Sequence, residues 1–204
     1  MLTTPSHSGS RHSPWAVLGW ISFLLLLMAA AILALMPDVQ GLRQLIRATA
    51  RTSLVLFVLA FTASAQWRLW PGAWSRWLRT HRRQIGLSMA VSHAIHAAAI
   101  AGFAWMAPAD FMAQTNPGSL ATGGLAYAFI ALMAATSFDR TAAWLGPRAW
   151  RGLHWAGMYY LWISFLVAFG KRLPQSGGYA LPLMVLAAAL ALRLWPAARS
   201  RRAG

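Results

Sequence analysis

The chain reads as an all-α integral membrane protein built as a bundle of six transmembrane helices, and three observations predict it. Of its 204 residues, 58% are hydrophobic and only 10% charged, whereas a soluble domain carries nearer a quarter charged residues. Long apolar runs alternate with short connections marked by Pro and Gly. The basic residues fall between those runs and not along one solvated face, so the net charge of +15 points to a membrane and not to nucleic acid.

The elements follow in order. Residues 1–14, rich in Ser, Thr and His, read as a disordered tail. The bundle itself occupies 15–196, and 197–204 forms a basic tail. Apolar runs cover residues 15–36, 52–67, 84–106, 120–138, 152–170 and 178–195, and about 20 apolar residues cross a hydrocarbon core of about 30 Å. The first run exceeds a signal-peptide core of about 7 to 15 residues and reads as retained. The second is short and begins within the charged stretch before it or tilts little. Breakers at Pro37, Pro71-Gly72, Pro108, Asn116-Pro117-Gly118, Pro147 and 174–178 separate the runs.

Alternate connections differ in charge. One side collects thirteen arginines (Arg11, Arg68, Arg76, Arg79, Arg82, Arg83, Arg140, Arg148, Arg151, Arg193, Arg199, Arg201, Arg202); the other holds Arg43, Arg47, Arg51, Lys171 and Arg172. The positive-inside rule puts the larger set, and both termini, in the cytoplasm. Trp67, Trp70, Trp74, Trp77 and Trp150 then form an aromatic belt at that interface.

The absence of cysteine excludes disulfides, thiolate zinc sites, thiol nucleophiles and iron–sulfur ligands. No Gly-rich phosphate-binding sequence follows a strand pattern. The chemistry that remains lies in histidine. His93 and His96 stand in the third run and His154 opens the fifth; an ionisable side chain there is expensive and usually functional, which reads as a buried metal or haem site. The plainer reading is a neutral imidazole bonded across a helix interface, a gain of roughly 0.6 to 2 kcal/mol, with Ser88 and Ser92 near to serve it. His7, His12 and His81 lie in tail or loop.

These segments resemble the ferric reductase-like transmembrane domain family, and within it the haem-binding membrane subunits of bacterial periplasmic methionine sulfoxide reductase systems. The matching elements are Ala50-Arg51-Thr52-Ser53, Arg82-Arg83 with Gly86-Leu87 and His96 ten residues after that Gly, Thr136-Ser137, Leu145-Gly146, Trp150 and Leu153-His154. The resemblance implies one haem b held by histidines of the third and fifth helices, with His96 and His154 matching family positions. The family's second histidine on the fifth helix is here Val167.

That replacement matters for depth. At about 1.5 Å per residue, His96 lies roughly 20 Å along its helix from Arg83, and His154 about 4 to 5 Å from Arg151. Three readings stand: His93 pairs with His154; His96 binds with a methionine as sixth ligand or leaves the iron five-coordinate; or haem binding has been lost. Arg51, Arg82 and Arg83 are candidates to pair with haem propionates, since Arg bonds carboxylates bidentately; the other arginines read as topology determinants with snorkelling side chains.

The resemblance further implies a multi-pass cytochrome of the bacterial inner membrane, without its own flavin or nicotinamide domain. It would pass electrons from a cytoplasmic reductase or quinol to a periplasmic reductase subunit or ferric iron, with membrane lipid on its basic face. The alternative is a haem-free scaffold or assembly protein that keeps the fold. A small-solute transporter is less favoured, since no span carries an interior acid and no broken-helix pair is visible.

Overall fold

The computed structural model describes the backbone of residues 14–202 and the side chains of 15–195. The N-terminal tail as far as residue 13, Arg11 and the side chains of the basic 197–204 tail lie outside the described residues. The chain runs α1 Pro14–Leu35, α2 Val39–Leu69, α3 Ala73–Thr80, α4 Arg82–Met106, α5 Pro108–Gln114, α6 Pro117–Ala135, α7 Asp139–Leu145, α8 Pro147–Gly170 and α9 Ala180–Arg202, with two 3-10 turns between α8 and α9. Among the described residues there is no strand, and six helices, α1, α2, α4, α6, α8 and α9, are long and apolar enough to cross a membrane.

Local chemistry sets the helix starts. The Asp38 carboxylate accepts from the backbone N–H groups of Gln40 and Gly41, capping α2. Asn116 accepts from the Ser119 N–H while the Ser119 hydroxyl accepts from the Asn116 N–H, so α6 begins with a reciprocal cap. Proline opens α5, α6 and α8, where a missing N–H costs nothing. Between α7 and α8 the backbone turns through Gly146 at φ +79°, a conformation that glycine adopts without strain.

The six apolar runs correspond to the six long helices, with two informative shifts. Helix α2 begins at Val39, well before the apolar run at 52, because Leu42, Leu45, Thr49 and Ser53 recur at three- and four-residue spacing on its buried face while Arg43, Arg47 and Arg51 turn elsewhere. The other shift is in the connections: α3, α5 and α7 are short helices where only breakers were expected.

Helix α2 packs against α1, α3, α4 and α9, and α6 pairs with α8. The main core gathers Phe57, Phe61, Leu78, Ile85, Leu161 and Leu186. Cross-links at two levels fix the ends of the bundle. Arg43 reaches Asp110 at 2.7 Å on one, and Arg83 reaches Asp139 at 2.8 Å on the other. The outer surface is apolar, with Trp20, Leu24, Leu27, Leu181 and Met184 all exposed, a surface unlike that of water-soluble monomers.

The turn between α1 and α2 is tight. A Cβ placed on Gly41 would collide with the backbone carbonyl of Met36, so Gly41→Ala must displace one helix end. Overpacking of this kind costs about 1–3 kcal/mol, and thermal unfolding in detergent is expected to show the lowered midpoint, with Gly86→Ala, whose Cβ meets open space, as the milder control.

Candidate functional site

The α2–α4 interface carries a line of hydroxyls. Thr49, Ser53, Ser88 and Ser92 are fully buried. The Ser53 hydroxyl donates to Ser92 Oγ at 2.8 Å, Thr52 Oγ1 lies 2.9 Å from Ser92 Oγ, and Ser92 Oγ also reaches the Thr49 carbonyl at 3.3 Å. Each hydroxyl thus finds its partner inside the bundle, as an apolar interior demands.

His96 joins this line at its far end. Its Nδ1 lies 2.9 Å from Thr49 Oγ1. The single hydroxyl proton of Thr49 is already directed at backbone carbonyls, 2.6 Å from Leu45 O and 3.2 Å from Ile46 O. Oγ1 therefore accepts from His96, and Nδ1 carries the ring proton. The other nitrogen, Nε2, is left with its lone pair, the form in which imidazole binds a metal.

His154 repeats the device across α6 and α8. Its Nε2 lies 3.2 Å from Thr136 Oγ1, whose proton goes to the Leu132 carbonyl at 2.7 Å. Here Nε2 carries the proton and Nδ1 keeps the lone pair. The ring stacks on Trp150 with centroids 4.3 Å apart, and Trp150 donates its Nε1–H to the Thr136 carbonyl. Threonine on a neighbouring helix, and not Ser88 or Ser92, is thus the partner of both histidines.

His93 is different. Its Nδ1 is buried without a hydrogen-bond partner, and so is the hydroxyl of Tyr127. The rings of His96, Tyr127 and Phe165 surround it, with centroids 5.7, 5.8 and 5.8 Å away. Two adjacent orphaned polar groups are uncommon in a folded interior and call for an explanation.

The structure brings His93 and His96 together but leaves His154 apart. Phe165, the α8 neighbour of His93, stands eleven residues beyond His154, about 16 Å along the helix. His154 instead lines a cavity of about 220 Å³ at the other level, with Arg82, Arg83, Trp150 and three methionines, Met89, Met133 and Met158. Val167 is 47% exposed and faces away from the interior, which α8 fills with Gly157, Leu161, Phe165 and Phe169.

The arginine candidates also separate. Arg82 donates to Ser64 Oγ at 3.1 Å and Arg83 pairs with Asp139, both on the level of His154. Arg51 is exposed on the rim of a different groove, between α2 and α9. Among the described residues no group of three or more His, Cys, Asp or Glu is assembled to hold a metal ion. His96 presents one imidazole from α4, held by Thr49, and the positions of His154 and Val167 do not provide a facing histidine from α8.

No protein-family model, curated protein or solved structure matches the chain.

The Thr49 hydroxyl is the test of the histidine's anchoring. Thr49→Val removes the acceptor and strands His96 Nδ1–H; the loss expected in a chemical or thermal unfolding series in detergent is roughly 0.6 to 2 kcal/mol, with Thr49→Ser close to wild type. An equal loss in both would show that methyl packing, and not the hydrogen bond, is what Thr49 supplies.

Proposed function

We propose that this chain is a multi-pass protein of a bacterial inner membrane, with both termini in the cytoplasm, that binds haem b and relays electrons from a separate donor to a periplasmic acceptor. The observation that carries the reading is the Thr49–His96 pair, which orients an imidazole inside an apolar bundle with its Nε2 lone pair free. The adjacent His93, with Nδ1 unsatisfied, adds a second imidazole on the same helix.

Bound haem would supply one-electron cycling of its iron, while the protein sets ligation, orientation and dielectric. His96 is the residue that would hold the iron. Thr49 fixes its ring, and Phe165 and Tyr127, packed around His93, exclude water from the histidine pair. The arrangement supports the five-coordinate reading, or a non-histidine sixth ligand, over a His93–His154 pair. The donor, a cytoplasmic reductase or quinol, and the acceptor, a reductase subunit or ferric iron, are separate molecules in this reading.

One observation favours a second reading, a haem-free scaffold. His96 and His154 each already hold a threonine partner across a helix interface, which is a sufficient structural role for a buried imidazole.

Dithionite-reduced minus oxidised spectra of the detergent-purified protein, with haem quantified as the pyridine haemochrome, separate the two. Sharp b-type bands are expected in wild type, lost in His96→Ala, weakened in His93→Ala and kept in His154→Ala. A folded, colourless protein from haem-replete cells would sink the cytochrome and leave the scaffold.

Orientation has its own measurement. Thirteen basic residues against five across alternate connections predict that alkaline phosphatase fused after Gly204 is inactive, whereas a fusion in the α5–α6 connection is active. The reverse pattern would overturn the cytoplasmic termini.

A further inference from the structure

The cavity beside His154 has a mismatch of charge. Its depth is apolar, walled by Phe57, Phe61, Met89, Ile130, Met158 and Leu161, while Arg82 and Arg83 stand in its lining. Among the described residues the only hydrogen bond of the Arg82 guanidinium is to the neutral Ser64 hydroxyl, although guanidinium offers five donors. Arg83 spends Nη1 on Asp139, yet its Nε is buried with no acceptor. A third guanidinium is close: Arg193 lies over the Phe61 ring, 4.4 Å from its centroid, and donates to the Phe61 carbonyl at 2.7 Å.

Against these three cations the described residues offer little negative charge. Asp38 caps α2 and Asp110 holds Arg43 at the opposite level. Asp139 is the one carboxylate near the cavity, and its side chain is 95% exposed. The described carboxylates thus leave Arg82 and the Arg83 Nε without a charged acceptor, and the depth of the cavity is apolar.

We infer that the cavity between α2, α4, α6 and α8 is a binding site for an acidic phospholipid, whose phosphate bonds Arg82 and Arg83 while an acyl chain enters among Phe57, Ile130 and Leu161. Basic pockets between membrane helices on the cytoplasmic side are the usual receptors for acidic headgroups. Phosphate oxygens supply the acceptors that Arg82 and the Arg83 Nε lack, and guanidinium binds them bidentately. The site rests on the membrane half of the proposed function and is independent of haem, because the His93–His96 pair lies at a different level.

Native mass spectrometry of the full-length protein, released from a mild detergent, tests it. The probes are phosphatidylglycerol, phosphatidylcholine with the same chains, and inorganic phosphate. Wild type is expected to retain phosphatidylglycerol about tenfold better than phosphatidylcholine, with Arg82→Gln and Arg83→Gln each erasing that preference, a factor in keeping with loss of a charge-assisted bond. Leu161→Trp, which narrows the cavity without altering charge, should lower retention of phosphatidylglycerol as well.

Equal retention of the two lipids by wild type would overturn the site, and needs no variant to fold. So would inorganic phosphate displacing phosphatidylglycerol at equal concentration, which would make the site one for a free anion. Spectra of the same samples keep this test distinct from that of the cytochrome. Loss of b-type bands in Arg82→Gln with lipid retention unchanged would assign the arginines to haem propionates and overturn the lipid. A colourless protein that keeps the lipid preference would leave the site standing and remove the haem.

Discussion

A polar group buried in this bundle is costly unless it is paired, and at the α2–α4 interface a line of side-chain hydroxyls meets that constraint. Ser53, Thr52, Ser92, Thr49 and His96 form one connected line of hydrogen bonds between two helices. Each bond is worth little, on average about 0.6 kcal/mol in such settings, but a broken one leaves a desolvated donor or acceptor costing about 1–3 kcal/mol. The line therefore fixes the register of α2 against α4 more than it deepens stability. From that register follow the His96 tautomer, the placement of Ser64 against Arg82 at the other end of α2, and the walls of the cavity.

Threonine acts twice as the same device. In each case its hydroxyl proton is committed to a carbonyl one turn back in its own helix, so its oxygen can only accept from the imidazole across the interface. The outcomes differ by which ring nitrogen is reached. At His96 it is Nδ1, leaving the outer nitrogen free; at His154 it is Nε2, capping the nitrogen farthest from the backbone. One local rule thus joins α2 to α4 and α6 to α8, and leaves the lone pair on Nε2 in one ring and on Nδ1 in the other.

Hydropathy made the six long helices legible, because an apolar run of adequate length has few other uses. It marked the apolar run of α2 only from residue 52, since three arginines lower the local average. The helix begins within the charged stretch before it, as one of the two readings had it, because the buried face continues through Leu42 and Leu45. The short helices α3, α5 and α7 carry too few residues for periodicity to speak. Of the site, the residue types were visible and their grouping was not. Numbering placed His93, His96 and His154 on two helices and signalled their unequal depth. It did not reveal that Thr49 and Thr136 are their partners, because those contacts join residues 47 and 18 positions apart. Nor did it reveal that Val167 faces outward, which depends on how α8 is rotated about its own axis.

The 31 residues of α2 have a geometric consequence. A helix of that length is about 46 Å long, and fitting all of it within a core of about 30 Å would require a tilt of about 50°, beyond the range of 0–40° that such helices adopt. In the proposed membrane setting about 16 Å of α2, or whatever part of that tilt does not absorb, would then project past the hydrocarbon. The charge along the helix says which end: Arg43 and Arg47 lie in its first turns, with Asp110 of α5 folded against Arg43. In the proposed membrane setting the first turns of α2 would stand in the headgroup layer, with α5 folded against them.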